Sequence, residues 1–136
     1  MAVSSIPAGD DVLDPVEPLY DLKKVAELLH LPVTKVQQQL RDGALVAVRR
    51  DGALMIPKAF FTDDGRVVKS LPGLLAVLRD GGFRDTEILR WLFTEDPTLE
   101  LTRDGVRETI SKARPVDALH AHQAREILRR AQALAY

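Results

Sequence analysis

Two groups of polar side chains in the first half of the chain have the hydrogen-bonding chemistry that contacts with nucleic acid require. Glutamine pairs with adenine edges, arginine with guanine or phosphate, and threonine and lysine with phosphate. The first group lies in a helix-periodic stretch over residues 33–42 and comprises Thr34, Lys35, Gln37, Gln38 and Arg41. A solvated helix face without a ligand has similar residues, so this group alone leaves both interpretations open.

The second group is the pair Arg49 and Arg50, which directly precedes Asp51-Gly52. An Asp-Gly dipeptide between two β-prone runs predicts a tight hairpin, because a type I′ turn needs positive φ at both central residues. We expect both arginines to lie beside the hairpin tip, where they can reach a phosphate backbone or a minor groove. The alternative is that they only keep an edge strand soluble.

Two short helices are predicted to position the first group. Residues 22–29 have apolar side chains at helical spacing, and Asp21 can cap their first turn. In the following stretch, Val33, Val36 and Leu40 share the side opposite the polar group, so we expect them to face the core.

The junction between these helices has the spacing of a helix-turn-helix. Ala26 and Val36 are ten positions apart, which suits a small residue at the crossing and an aliphatic wedge in the second helix. The turn between them usually needs glycine, and this chain has His30. Histidine is among the residues found more often at positive φ, so the turn remains possible at some cost in strain.

The order helix, turn, helix, hairpin over residues 20–62 predicts a winged helix-turn-helix domain. Its hairpin comprises the runs Leu45–Arg50 and Ala53–Ile56, and Pro57 stops the second run. We therefore expect binding of double-stranded DNA, with a recognition helix (33–42) in the major groove and a wing (45–56) on the adjacent backbone or minor groove. The alternative is a protein-interaction adaptor that retains the winged fold.

Charge is unevenly distributed along the 136 residues, although the net charge is only −1. Residues 1–19 contain four acids and no lysine or arginine, whereas residues 20–58 contain seven basic and four acidic residues. The proline-containing first segment predicts a disordered acidic tail. Ser4 and Ser5 in this tail are candidate substrates of a Ser/Thr kinase, because added phosphate would oppose a polyanion.

Residues 63–136 are predicted to form a helical region packed on the winged domain. Helices are expected from Ser70 to Arg79 and from Asp85 to Leu92. A short helix is expected over Asp104–Lys112, and the longest helix from Pro115 to about Ala133. The predicted fold class is therefore mainly α with a small β-hairpin.

The last predicted helix has an apolar stripe and several arginines. The stripe contains Leu119, Ile127, Ala131 and Leu134. Packing of the stripe against the helix that contains Trp91 is favoured, since a small domain needs the burial, and a homodimer through this helix is the alternative. The arginines outside the stripe are either phosphate contacts or a solvated basic face, and they are Arg125, Arg129 and Arg130.

Other function classes find little support. With no cysteine, disulfides and thiolate sites are excluded, and His120 and His122 would diverge by about 200° on a helix and so could not share a metal ion. We see no phosphate loop or nucleophile-base pair and expect neither an enzyme nor a cofactor. Without a signal peptide or a long apolar run, the expected location is cytoplasmic, with no membrane contact.

The runs "VAELLHLPVTKVQQQLRDG" and "LVAVRRDGALMIP" resemble the excisionase and MerR-like winged helix-turn-helix class. The remaining chain, including "ARPVDALHAHQAREILRRAQALAY", is similar to an actinobacterial family of winged DNA-binding proteins with a helical C-terminal region. This resemblance implies DNA binding in transcription regulation or DNA architecture. His30 departs from the glycine of the class.

Overall fold

The computed structural model describes residues 6–103, 106–109, 113–121 and 123–135. Its first half contains β1 (Gly9–Asp10), β2 (Leu19–Asp21), α1 (Leu22–Leu29), α2 (Val33–Arg41), β3 (Val48–Arg50) and β4 (Ala53–Pro57). A 3-10 turn at Lys58–Phe60 leads into the second half. That half contains α3 (Leu71–Asp80), α4 (Asp85–Phe93), β5 (Glu100–Arg103), β6 (Val106–Thr109), α5 (Pro115–His120) and α6 (Ala124–Ala135). The predicted fold class, a winged helix-turn-helix followed by a helical region, is confirmed.

The turn between α1 and α2 has the predicted geometry. The Asp21 carboxylate accepts a hydrogen bond of 2.7 Å from the Lys24 N–H and caps α1. His30 adopts the left-handed conformation, with φ 55° and ψ 43°. Ala26 and Val36 are both buried, so the small residue and the aliphatic wedge lie in the core as expected.

The wing is a hairpin of β3 and β4 within a four-stranded sheet of order β1-β3-β4-β2. Asp51 and Gly52 have φ values of 52° and 80°, so positive φ occurs at both central residues as predicted. Strand β3 begins at Val48 and is therefore shorter than the predicted run, which began at Leu45. Strand β2 pairs antiparallel with β4 and thereby joins the start of α1 to the wing.

The N-terminal segment is part of this sheet, so the prediction of a disordered tail is wrong for residues 6–19. Strand β1 pairs in parallel with β3, and the Gly9 N–H donates to the Ala47 carbonyl at 2.8 Å. Ile6 and Leu13 are buried. A Cβ on Gly9 would lie 2.6 Å from Leu89 Cδ1, so only glycine allows this close approach to α4. Ser4 and Ser5 lie outside the described residues.

One hydrophobic core joins the two halves of the chain. Helices α3 and α4 begin and end close to the predicted positions, although α4 has Arg84 rather than Asp85 at its N-cap. The core includes Val36 of α2, Leu75 of α3, Leu89 of α4 and Ile127 of α6, all essentially inaccessible to solvent. No helix in the described part of the chain is long and apolar enough to cross a bilayer.

Two predictions in the C-terminal region are wrong. Where a helix over residues 104–112 was expected, the structure has an antiparallel hairpin of β5 and β6. Residues 104, 105 and 110–112 lie outside the described residues. The β-prone side chains around Asp104-Gly105 are the same signal that identified the wing.

The predicted long C-terminal helix is two helices. Helix α5 ends at His120, and α6 begins at Ala124, with Ala121 outside helical geometry at φ −98° and ψ 24°. Leu119 on α5 and Ile127 on α6 are both buried. A break lets each helix bury its own apolar side, which a single straight helix could not do.

Candidate nucleic-acid interface

The outward side of α2 carries the polar group that the sequence singled out. Thr34, Lys35, Gln38 and Arg41 are exposed, and Gln37 is half-buried at the edge of this surface. Val36 and Leu40 anchor the opposite side of the helix in the core, with exposures of 0% and 1%. The predicted residues of α2 therefore share one accessible face, which we call the α2 face.

The cations of the α2 face have no carboxylate partner in the part of the chain that the structure describes. Neither Lys35 nor Arg41 forms an ion pair with any described residue, and α2 itself contains no acid. The carboxylate of Asp42, the residue that follows α2, accepts a hydrogen bond of 2.8 Å from Gln38 Nε2. The positive charge is thus available to a ligand, and the Gln38 side chain is already oriented.

The two wing arginines point in different directions, contrary to the expectation that both lie free beside the tip. Successive strand residues face opposite sides of a sheet, so Arg49 and Arg50 cannot share a surface. Arg49 is exposed, and its neighbours in register are Asp10 on β1 and Leu54 on β4. It forms no ion pair with a described residue.

Arg50 ties the N-terminal segment to the wing. Its Nε and Nη2 donate to the two carboxylate oxygens of Asp11 at 2.6 and 3.1 Å. Its remaining bonds are to the backbone carbonyls of Asp14, Pro15 and Glu17. The hydrogen bond from Arg50 lowers the pKa of Asp11 below its ordinary value. With its side chain only 19% exposed, Arg50 is engaged within the protein.

Two of the three arginines of α6 are paired with carboxylates. Arg129 and Arg130 both bind Glu126, at 2.6 and 2.9 Å, and Arg130 also binds Asp96 at 3.0 Å. Arg125 is exposed and forms no ion pair with a described residue. Of the two alternatives for these arginines, phosphate contact is therefore not supported for Arg129 and Arg130, whose charges are paired within the protein.

The apolar stripe of the last helices packs mainly inside the protein, as favoured by the sequence. Ile127 and Ala131 are fully buried and Leu119 is 7% exposed, whereas Leu134 is 51% exposed. The stripe of α6 packs on α3 rather than on the helix that contains Trp91.

Two features of the structure were missed in the sequence. Val33, expected in the core, is the first residue of α2 and is 37% exposed beside Thr34. Arg114 packs over the Phe93 ring at 5.1 Å and binds Glu17 at 2.5 Å, which links the N-terminal segment to α5. No spacing rule relates residues so far apart in the chain.

The histidines do not form a metal site in the described part of the chain. His120 Nε2 lies 2.5 Å from the Ala59 carbonyl oxygen, and His122 lies outside the described residues. Among the described residues, no group of three or more histidines and carboxylates is placed to hold a metal ion.

A helix-turn-helix, a hairpin wing and a polar outward face on the second helix together define a winged helix-turn-helix protein. Residues 5–61 match a family described as "DNA-binding protein Rv2175c, wHTH domain", and residues 68–135 match one described as "Rv2175c C-terminal domain of unknown function". The chain belongs to the family of DNA-binding protein Rv2175c, to which both descriptions refer.

A relative and a solved structure agree with this assignment. The chain is 72% identical over 134 residues to "DNA-binding protein Rv2175c" of Mycobacterium tuberculosis, covering 98% of this chain and 92% of the relative. It superposes with a TM-score of 0.87 on the structure described as "NMR structure of Rv2175c", at 72% identity and with the same coverage of the two chains.

Proposed function

We propose that the chain binds double-stranded DNA as a transcriptional regulator or architectural protein. Helix α2 enters the major groove, and the wing lies on the adjacent backbone or in the minor groove. The observation that supports this most is the α2 face, where the exposed Gln38 lies with cations that have no ion pair among the described residues, on a helix whose other side is anchored in the core.

The side chains divide into two roles. Lys35 and Arg49 bind phosphates and position the duplex, because their charge is unpaired and exposed. Gln37, Gln38 and Arg41 read base edges, since a glutamine amide offers one donor and one acceptor to adenine and a guanidinium offers two donors to guanine. Arg50 was expected to share the positioning role, and its bonds to the N-terminal segment give it a supporting one instead.

Val33 adds an apolar contact to this surface. It is the first residue of α2 and is exposed next to Thr34. Residues at the start of a recognition helix approach base edges, and an aliphatic side chain there suits the methyl group of thymine.

Electrostatic attraction in this complex is modest. Besides the net charge of −1, the acids of the N-terminal segment lie beside the wing, with Asp10 next to Arg49 in the sheet. Few phosphates are therefore neutralised, and we expect weak binding to random sequence with a shallow salt dependence.

The test is a fluorescence-anisotropy titration of the whole chain with random-sequence duplex at two salt concentrations. Arg49→Ala should weaken binding and lower the salt slope by about one. The control is Arg129→Ala, which removes an equal charge from a residue paired with Glu126 and outside the interface. If the wild type binds no duplex at low salt, or if both variants lose affinity equally, the proposal is wrong.

Base reading is tested separately with a duplex selected from a random pool by the wild type. Gln38→Ala should erode the preference for the selected duplex while leaving random-sequence affinity nearly unchanged. An equal loss on both duplexes would contradict the role of Gln38 as a reader of bases.

A further inference from the structure

An open cleft of about 880 Å³ lies away from the α2 face, in the C-terminal half of the molecule. One wall is the loop that follows the wing, up to the start of α3, and the other consists of the end of α5 and the start of α6. Its volume is within the range of about 300 to 1,000 Å³ that is typical of small-molecule sites.

The cleft combines an apolar lining with a charged mouth. Val68, Leu119 and Ala124 supply aliphatic surface, and the cations Lys69 and Arg125 come from opposite walls. Asp63 contributes one carboxylate. Neither cation forms an ion pair with a described residue, in contrast to Arg129 and Arg130 on the same helix as Arg125.

This arrangement favours one class of ligand. Two cations on facing walls, neither paired with a described residue, attract an anionic head group, and the aliphatic surface between them can take an apolar body. A neutral apolar molecule would leave the cations unused, and a cationic one would be repelled by them.

We propose that the cleft binds a small organic anion with an apolar body, such as a medium-chain carboxylate. The carboxylate lies between Lys69 and Arg125, and the chain packs on Val68 and Leu119. Thr62 and Asp63 of the lining lie between the two family matches, which cover residues 5–61 and 68–135, and the other lining residues lie within the second match. The proposal does not depend on DNA binding.

The test uses three probes of equal chain length, octanoate, octanol and octylamine, titrated into the ¹⁵N-labelled full chain at neutral pH. Octanoate should shift the amide resonances of Val68, Leu119 and Ala124 in a saturable way, and more strongly than the other two probes. Equal binding of all three probes, shifts scattered over the surface, or no saturable shift would overturn the proposal.

Charge variants show whether the anion lies at the mouth of this cleft. Arg125→Gln and Lys69→Gln should each weaken octanoate binding about threefold to fivefold, as expected for exposed charge pairs. Arg129→Gln is the matched control, because it removes the same charge one helical turn away from Arg125 and outside the cleft.

All three residues are exposed, so the variants should still fold, and the unshifted remainder of the spectrum would verify this. Similar losses in Arg125→Gln and Arg129→Gln would mean that only net charge matters and would sink the proposal.

Discussion

Helices α2 and α6 both present a polar, arginine-containing side to solvent, and yet their cations are arranged differently. Lys35 and Arg41 on α2 have no carboxylate partner among the described residues, whereas Arg129 and Arg130 on α6 share Glu126. The cause is visible in the spacing, since Glu126 lies three and four residues before the two arginines and α2 has no acid. A basic helix is thus a candidate DNA reader only when its own acids leave the cations free.

The largest effect is expected from a change at Val36, whose buried side chain keeps the α2 face directed to solvent. Val36→Asp would bury a carboxylate with no partner at a fully enclosed position, and we expect a loss of about 3 kcal/mol or more of stability. Val33→Asp is the control on the same helix at a 37% exposed position, and it should cost much less. Thermal and urea denaturation measure both. Comparable losses in the two variants would show that the interior side of α2 has been wrongly assigned.

The second test exchanges the free cations for neutral side chains. Lys35→Gln combined with Arg41→Gln should lower affinity for random duplex at least about tenfold at low salt, with a shallower salt slope. Arg129→Gln combined with Arg130→Gln removes the same charge from α6 and should leave affinity within about twofold, because those arginines are paired and lie outside the proposed interface. Anisotropy titrations would decide, and an equal effect of the two pairs would remove the distinction between the helices.

Two adjacent arginines of the wing, Arg49 and Arg50, should differ in their effects on stability and on DNA binding. Arg50→Gln should cost about 1 kcal/mol of stability and hasten hydrogen exchange at the Gly9 amide, because the bonds to Asp11 and the neighbouring carbonyls are lost. Arg49→Gln should leave stability nearly unchanged and reduce the salt slope of DNA binding. Denaturation and exchange measurements on both variants test this, and the reverse assignment of effects would refute it.

The smallest expected effect is the acid dependence of α6. Hydrogen bonds from Arg129 and then Arg130 lower the pKa of Glu126 below its ordinary value of 4.5. The stabilisation from a lowered pKa is complete above the unfolded value and disappears as the pH falls through the folded one. The melting temperature of Glu126→Gln should therefore lie slightly below that of the wild type at pH 7 and converge with it below about pH 4. A difference that persists unchanged at low pH would mean that the charge of Glu126 is not responsible.

Local features of this fold could be predicted from the sequence, and distant pairings could not. The Asp21 cap, the left-handed His30 and the Asp51-Gly52 turn each depend on a few neighbouring residues. The parallel pairing of β1 with β3 and the bonds between Arg50 and Asp11 join residues nearly forty positions apart, so no periodicity reveals them. The composition of residues 6–19 is that of a flexible tail, and their order comes from partners elsewhere.

In the candidate site, too, features set by neighbouring residues could be predicted and contacts with distant residues could not. The expectation that Arg49 and Arg50 both reach DNA overlooked the alternation of side chains along a strand, and only the fold shows what Arg50 contacts. Helical periodicity placed Gln38 and Arg41 outward correctly, and it misplaced Val33 because a helix end is not bounded by neighbours on all sides.

The conformation of His30 has a consequence for how much change this turn tolerates. A non-glycine residue at φ 55° is held there by its surroundings, since an isolated histidine would spend most of its time elsewhere. The packing of α1 against α2 and the Leu31 N–H bond to the Ala26 carbonyl supply that constraint. The bend between the helices is therefore imposed by the interior, and glycine at position 30 would follow the same backbone path with less strain.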